Sequence, residues 1–221
     1  NVEVTDTAGQ TQTANRQVVV AAQAIQAYLI PERGSVVPGV RNHFFVAVTD
    51  PGGSPLRGKS TLHFATDTGH ERTRRVVIDS AGLGTTSFTP PAGTANVSAR
   101  MSFEGPDDIV GEENFELPVT GGEATVLLRT NRSIISAGES LTVEVLTSNT
   151  ISDAFLDVTR DGQTLLTRTI TLSNGRGKAR IAIDPAISGT LALSAFALSA
   201  RGEFTRDAQA VFVHPAKDLK V

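Results

Sequence analysis

The chain has no cysteine and no tryptophan, and only one tyrosine and one methionine, in 221 residues. The first absence excludes disulfides, thiolate nucleophiles and cysteine-ligated metal sites within these residues. It leaves the compartment open. A strong charge of one sign is missing too: 20 Lys+Arg stand against 23 Asp+Glu, for a net charge of −3. The basic residues are scattered, so the chain has no electrostatic footprint for nucleic acid or an anionic membrane. No stretch approaches the roughly 18–20 uninterrupted apolar residues of a membrane helix. The apolar run at 18–22 is too short for a signal peptide and lacks a charged segment before it.

What is present is a β composition. Thr, Ser, Val and Gly abound, 39% of residues are hydrophobic and 19% charged, enough apolar content for a packed core. Period-2 alternation recurs along the chain, the mark of a half-buried strand. Leu141, Val143 and Val145 alternate with Thr142 and Glu144. Val97, Ala99, Met101 and Phe103 alternate with polar or charged neighbours, as do Ala179, Ile181 and Ile183, and Phe115, Leu117 and Val119. Turn chemistry falls between the runs. Asp161-Gly162 and Asn174-Gly175 suit two-residue hairpins, because both positions tolerate positive φ. Asp6-Thr7-Ala8-Gly9, Asp50-Pro51-Gly52-Gly53 and Asp79-Ser80-Ala81-Gly82 begin with Asp and end with Gly, as four-residue turns prefer. Short strands so spaced predict a sandwich or barrel.

The chain also repeats itself. SVVPGVRNHFFVAV at 35–48 and SIISAGESLTVEV at 133–145 share a small polar residue, two β-branched apolars, a glycine and an alternating run. Residues 76–105 run parallel to 169–202, and FELPV at 115–119 parallels VFVHP at 211–215. The repeat unit is about 95 residues, the size of a seven-stranded immunoglobulin-like sandwich. The expected layout is one sandwich at 25–120 and a second at 121–215, divided near Gly121-Gly122. Residues 1–24 read as the terminal strands of a preceding domain, and 216–221 as the start of a following one.

Five stretches in this order resemble the alpha-2-macroglobulin family, in its bacterial branch: LIPERGSVVPGVRN at 29–42, TDPGGSP at 49–55, IDSAG at 78–82, IISAGESLTVEV at 134–145 and RDAQAVFVHPAKDLKV at 206–221. The resemblance spans essentially the whole chain. It implies tandem macroglobulin-like domains, seven-stranded antiparallel sandwiches, at about the fourth and fifth places of the family's array and upstream of the domain that carries the bait region. It also implies a secreted or periplasmic endopeptidase inhibitor. A bait region cut by the target protease lets the array rearrange around it, and thioester-bearing members capture the protease covalently. A G-C-x-E-Q thioester segment needs a cysteine and so cannot lie here, and no bait-like segment is present. The expected partners are the neighbouring macroglobulin-like domains and, through the full-length protein, target proteases.

No residue constellation argues for chemistry of its own. His43, His63, His70 and His214 lie on or beside predicted strands without metal-ligand spacing; His63 and His70 flank a hairpin, but no third ligand is evident. Asp107, Asp108, Glu112 and Glu113 gather in one segment, yet their spacing matches no calcium loop, and a solvated acidic loop is expected. Arg72, Arg74 and Arg75 could suggest an anion site, but alternation puts Arg72 and Arg74 on one water-facing strand face, where they discourage edge-to-edge pairing. No serine sits in a G-x-S-x-G elbow. Asn96-Val97-Ser98 and Asn131-Arg132-Ser133 are acceptor sequons that matter only in a eukaryotic secretory setting. The expectation is therefore an all-β, non-enzymatic chain with no catalytic, cofactor-binding or metal residues and no cofactor. An adhesin-like or cell-surface stalk of immunoglobulin-like repeats is the alternative. Carbohydrate binding would need an exposed aromatic platform, against which most phenylalanines are expected on core-facing positions.

Overall fold

The computed structural model describes residues 2–15, 21–120, 125–148, 151–199, 202 and 204–215. Every regular element among them is a β-strand. β1 (Val2–Thr5) and β2 (Thr11–Ala14) form an exposed antiparallel hairpin. Its turn is held by Asp6, whose Oδ1 accepts the N–H groups of Ala8 and Gln10 at 2.9 and 2.8 Å.

A first sandwich follows. One sheet has the order β3-β4-β7, from Gln26–Pro31, Asn42–Thr49 and Leu83–Phe88. The facing sheet has the order β6-β5-β8-β9, from Glu71–Ile78, Gly58–Thr66, Val97–Glu104 and Val110–Leu117. A second sandwich pairs β10-β12-β15 (Val126–Thr130, Ser140–Thr147, Arg176–Ala182) with β11-β17-β16-β13-β14 (Ile134–Ser136, Phe204–His214, Gly189–Leu198, Asp153–Arg160, Gln163–Thr171). Each has its own core. The first is built around Phe44, Phe64 and Phe88, with ring centroids 5.1 and 4.8 Å apart along the series. The second is aliphatic, with Leu141, Leu156, Leu191, Leu193 and Val211 fully buried. Each such side chain withdrawn from water is worth about 1.5–3 kcal/mol. The expected boundary at Gly121-Gly122 and the expected start of a further domain at 216–221 lie outside the described residues.

The pairing registers superpose the two sandwiches residue by residue. Leu29–Val46–Gly84 in the first corresponds to Leu128–Val145–Gly177 in the second. At Gly84 a Cβ would lie 2.6 Å from Val76, and at Gly177 2.6 Å from Ile170, so in both the glycine lets the two sheets close on each other. The shared turn that prompts the sequence repeat is also explained. Gly39 and Gly138 both have positive φ (80° and 85°) and donate to Pro90 O and Ile183 O, the carbonyls after β7 and β15. The D-G and N-G hairpins form as expected, with φ of 50° and 80° at Asp161-Gly162 and 52° and 71° at Asn174-Gly175.

The second sandwich has eight strands rather than seven, and one pairing, β11 with β17, is parallel. In the first, the same pairing shrinks to a single bridge between Val36 and Val119. The reason is two prolines: Pro118 stands in the place of Phe212, whose N–H donates to Ser133 O at 2.8 Å, and Pro38 stands in the place of Ala137. Ala137 N–H donates to His214 O at 2.8 Å; a proline has no N–H to give at either place.

The arginine pattern needs a correction. Arg74 lies on the same face of β6 as the buried Val76 and Ile78, not on the water-facing side, and its Nε donates to Ser87 O of β7 at 3.0 Å. Arg168 of β14 does the same from the corresponding position, reaching Arg180 O of β15 at 2.8 Å. Each edge strand thus turns a charge inward and bolts the open side of its sandwich, which discourages edge pairing.

Candidate functional site: the junction between the sandwiches

Polar and apolar groups converge where the first sandwich meets the second. The segment between β3 and β4 approaches the outer face of β10 and β12 and the start of β17. Buried Asn42 shapes that segment: its Oδ1 accepts the Val37 N–H at 2.7 Å, and its Nδ2 donates to Val37 O and Val40 O, both at 2.9 Å. Val37 and Val40 are thereby held forward against Leu127 and Leu146. The four form a buried cluster distinct from both cores, with exposures of 0, 5, 1 and 8%. Gly39 sits between them at positive φ, and a Cβ there would lie 3.3 Å from Ser148 O of the second sandwich.

Two charged clusters flank this contact. Arg33 donates from Nη1 to Val126 O and from Nη2 to Arg206 O, both at 2.9 Å, while its Nε stands 3.3 Å from Asp207 Oδ1. Asp207 also accepts the Leu128 N–H at 2.8 Å, so one carboxylate both caps the free edge of β10 and holds the arginine. On the other side Arg129 Nε donates to Glu32 Oε2 at 2.8 Å, and its other nitrogens reach Glu32 again, Arg41 O and, at 3.9 Å, Glu144. Glu144 gathers Arg176 and, at 3.7 Å, Lys178. Arg129 and Glu32 keep only 14 and 13% of their side chains exposed, so their attraction is screened far less than a surface pair's. The arrangement contains no nucleophile–base pair. It joins the two sandwiches through a buried aliphatic cluster with ion pairs on either side.

The singled-out residues lie elsewhere and apart. His43 is exposed on β4; His63 Nδ1 is 2.9 Å from Thr73 Oγ1; His70 stacks on Phe88 at 5.8 Å; His214 meets Phe212 edge-on at 5.0 Å. Among the described residues no three of His, Asp and Glu come together as metal ligands. Asp107 and Asp108 occupy an exposed turn at φ 54° and 56°. Glu112 pairs with Arg100 at 2.6 Å, and this hydrogen bond and charge raise the Arg100 pKa above its ordinary value. The expectation that most phenylalanines face a core fails. Phe45, Phe155, Phe196, Phe204 and Phe212 stand on outward positions; Phe155 stacks on Phe196 at 5.4 Å, and Phe196 meets Phe204 tilted at 5.6 Å.

Nothing in the spacing of Glu32, Arg33, Arg129 and Asp207 marks them in the sequence. A signal was present. Val126-Leu127-Leu128 and Val145-Leu146 are buried without alternation, which means that both faces of those strands are covered.

No family model matches the sequence, and no curated protein does. Among solved structures, native alpha-2-macroglobulin of Escherichia coli is similar over 87% of this chain at 11% identity and a TM-score of 0.36, and the chain covers 16% of it. The same organism's alpha-2-macroglobulin activated by porcine elastase is similar over 96% of the chain at 14% identity and a TM-score of 0.34, with 25% of it covered. A tetra-tandem repeat from the extending region of a large adhesion protein is similar over 96% of the chain at 14% identity and a TM-score of 0.36, with 55% of it covered.

Proposed function

We propose that the chain is a non-enzymatic structural segment of a bacterial, extracytoplasmic alpha-2-macroglobulin-type endopeptidase inhibitor, two macroglobulin-like domains in the wall that encloses a protease. The five ordered stretches noted above support the family. The junction carries the mechanical half of the reading: a scaffold that must move as one piece when a distant segment is cut needs adjoining domains that do not swivel. Clustered aliphatics flanked by two shielded ion pairs meet that need. The bait and any thioester lie elsewhere in the full-length protein, and its target proteases touch this segment only after cleavage.

One observation favours this over a uniform stalk. A stalk repeats one junction, but the positions of Val37 and Val40 are taken in the second sandwich by exposed Ser136 and Glu139, so the second cannot pass on the contact it receives. The test is to expose the full-length protein to trypsin and follow its hydrodynamic radius and the fate of the protease. Compaction after one cut outside residues 1–221, with the protease retained, is the expected result. Cleavage without compaction and with free protease would sink the proposal, as would stoichiometric protease inhibition by the purified 221 residues.

A further inference from the structure

The first sandwich has its own copy of the surface on which it rests in the second. In the second, that surface is the outer face of β10-β12-β15, where the rows Leu127–Leu146–Arg176 and Arg129–Glu144–Lys178 run across the strands. The corresponding rows in the first are Tyr28–Ala47–Leu83 and Ile30–Phe45–Thr85. Here nothing covers them among the described residues: Tyr28, Ile30, Phe45 and Leu83 are 50–52% exposed. Such a contiguous apolar face on a three-stranded sheet marks an interaction site rather than ordinary surface. Tyr28-Leu29-Ile30 and Phe44-Phe45 break alternation as Val126-Leu127-Leu128 does in the covered face.

The charged part of the junction is also duplicated. Asp207, which holds Arg33, pairs across its sheet with Ala195, and Glu113 pairs with Met101 at the corresponding place in the first sandwich. Glu113 lines a depression of about 420 Å³ together with Ile25, Ala27, Tyr28 and Pro51, at the rim of the apolar face. So the first sandwich retains the carboxylate and enlarges the apolar patch, but replaces Arg129 and Glu144 by Ile30 and Phe45.

We infer that the outer face of β3-β4-β7 is an acceptor for the end of another sandwich, docked as the first sandwich docks on the second. That occupant presents two aliphatic residues in the places of Val37 and Val40 and an arginine in the place of Arg33. It presents no acid in the place of Glu32, because Ile30 offers no partner. The inference rests on the tandem-scaffold part of the proposed function and is independent of protease trapping, so the two fail separately.

Tyr28 makes it measurable, being the only tyrosine in a chain without tryptophan. The probe is a fusion in which a second copy of residues 25–123 directly precedes Ile25, keeping the spacing of the natural connection and the buried Ile25 of the receiving sandwich. The added copy carries Tyr28→Phe, so one tyrosine reports, and Glu32→Gln, to remove the unmatched acid. Tethering places the added end at millimolar effective concentration, as a short linker does. Acrylamide quenching of Tyr28 should fall several-fold relative to the 221-residue chain. It should return on adding Phe45→Glu, and in part on adding Glu113→Gln, with melting curves confirming that all sandwiches stay folded. Should the direct fusion not fold, the same comparison is made with a Gly-Ser spacer in the connection. Unchanged quenching in a folded fusion would overturn the inference. So would concentration-dependent protection of Tyr28 in the unfused chain, which would mean that the face pairs with a second copy of itself.

Discussion

Replacing Arg129 by Met removes the guanidinium that joins the sandwiches but keeps a side chain of similar length. Glu144 retains Arg176 and Lys178, so the loss falls on Glu32, whose carboxylate keeps 13% exposure and whose Oε1 otherwise accepts, among the described residues, the His43 N–H at 2.9 Å. Breaking a fully buried pair costs about 3–5 kcal/mol; with water still reaching this one, Arg129→Met should cost about 2–4 kcal/mol. Glu32→Gln leaves Arg129 with Glu144 and should cost about 1–2 kcal/mol. The double substitution should cost less than the sum, with a coupling of about 1–3 kcal/mol, as expected for directly bonded residues. Urea unfolding followed by Tyr28 fluorescence and far-UV circular dichroism supplies the four stabilities. A coupling below about 0.5 kcal/mol, the level of independent sites, would refute the claim that these two side chains tie the domains together.

Three further outcomes separate the roles assigned to individual residues. Arg74→Met and Arg168→Met each remove a charged donor to a carbonyl on the facing sheet and should cost about 1–2 kcal/mol by urea midpoint, whereas exposed Lys178→Ala should cost under about 0.5 kcal/mol. Equal costs would mean that the arginines do not bolt the sandwiches. Gly138→Ala should lose about 1–2 kcal/mol from positive φ alone; Gly39→Ala should lose more, because its Cβ also presses on Ser148 O, and a smaller loss at Gly39 contradicts the close approach there. Leu156→Ala should cost about 2–5 kcal/mol as a core cavity, and a value near zero would mean that this side chain is not packed in the second core.

The strands and turns were legible because their causes are local. Alternation follows from the two-residue period, so Leu141, Val143 and Val145 declare their buried face without reference to any partner. Asp161-Gly162 declares a turn through its own tolerance of positive φ. The face of Arg74 was legible, since the same alternation that assigns Val76 and Ile78 to the core carries the arginine inward, but what it meets there was not. Only the place where the sheet ends decides whether it meets packing or a carbonyl. The junction was hidden for a different reason: Arg129 and Glu32 are 97 residues apart, and no local pattern joins them. Its one local trace, apolar residues on both faces of β10, is the feature that also exposes the acceptor face of the first sandwich.

The contacts of the junction should hold the two sandwiches in one fixed relation. The absence of cysteine allows a direct test, with single cysteines at the exposed positions Thr68 and Thr164 carrying spin labels. Pulsed dipolar spectroscopy should give one narrow distance distribution for this pair. It should broaden when Val37→Glu and Leu127→Glu are introduced together, while labels placed within one sandwich stay narrow. A broad distribution in the otherwise unaltered chain, with narrow distances inside each sandwich, would contradict the account.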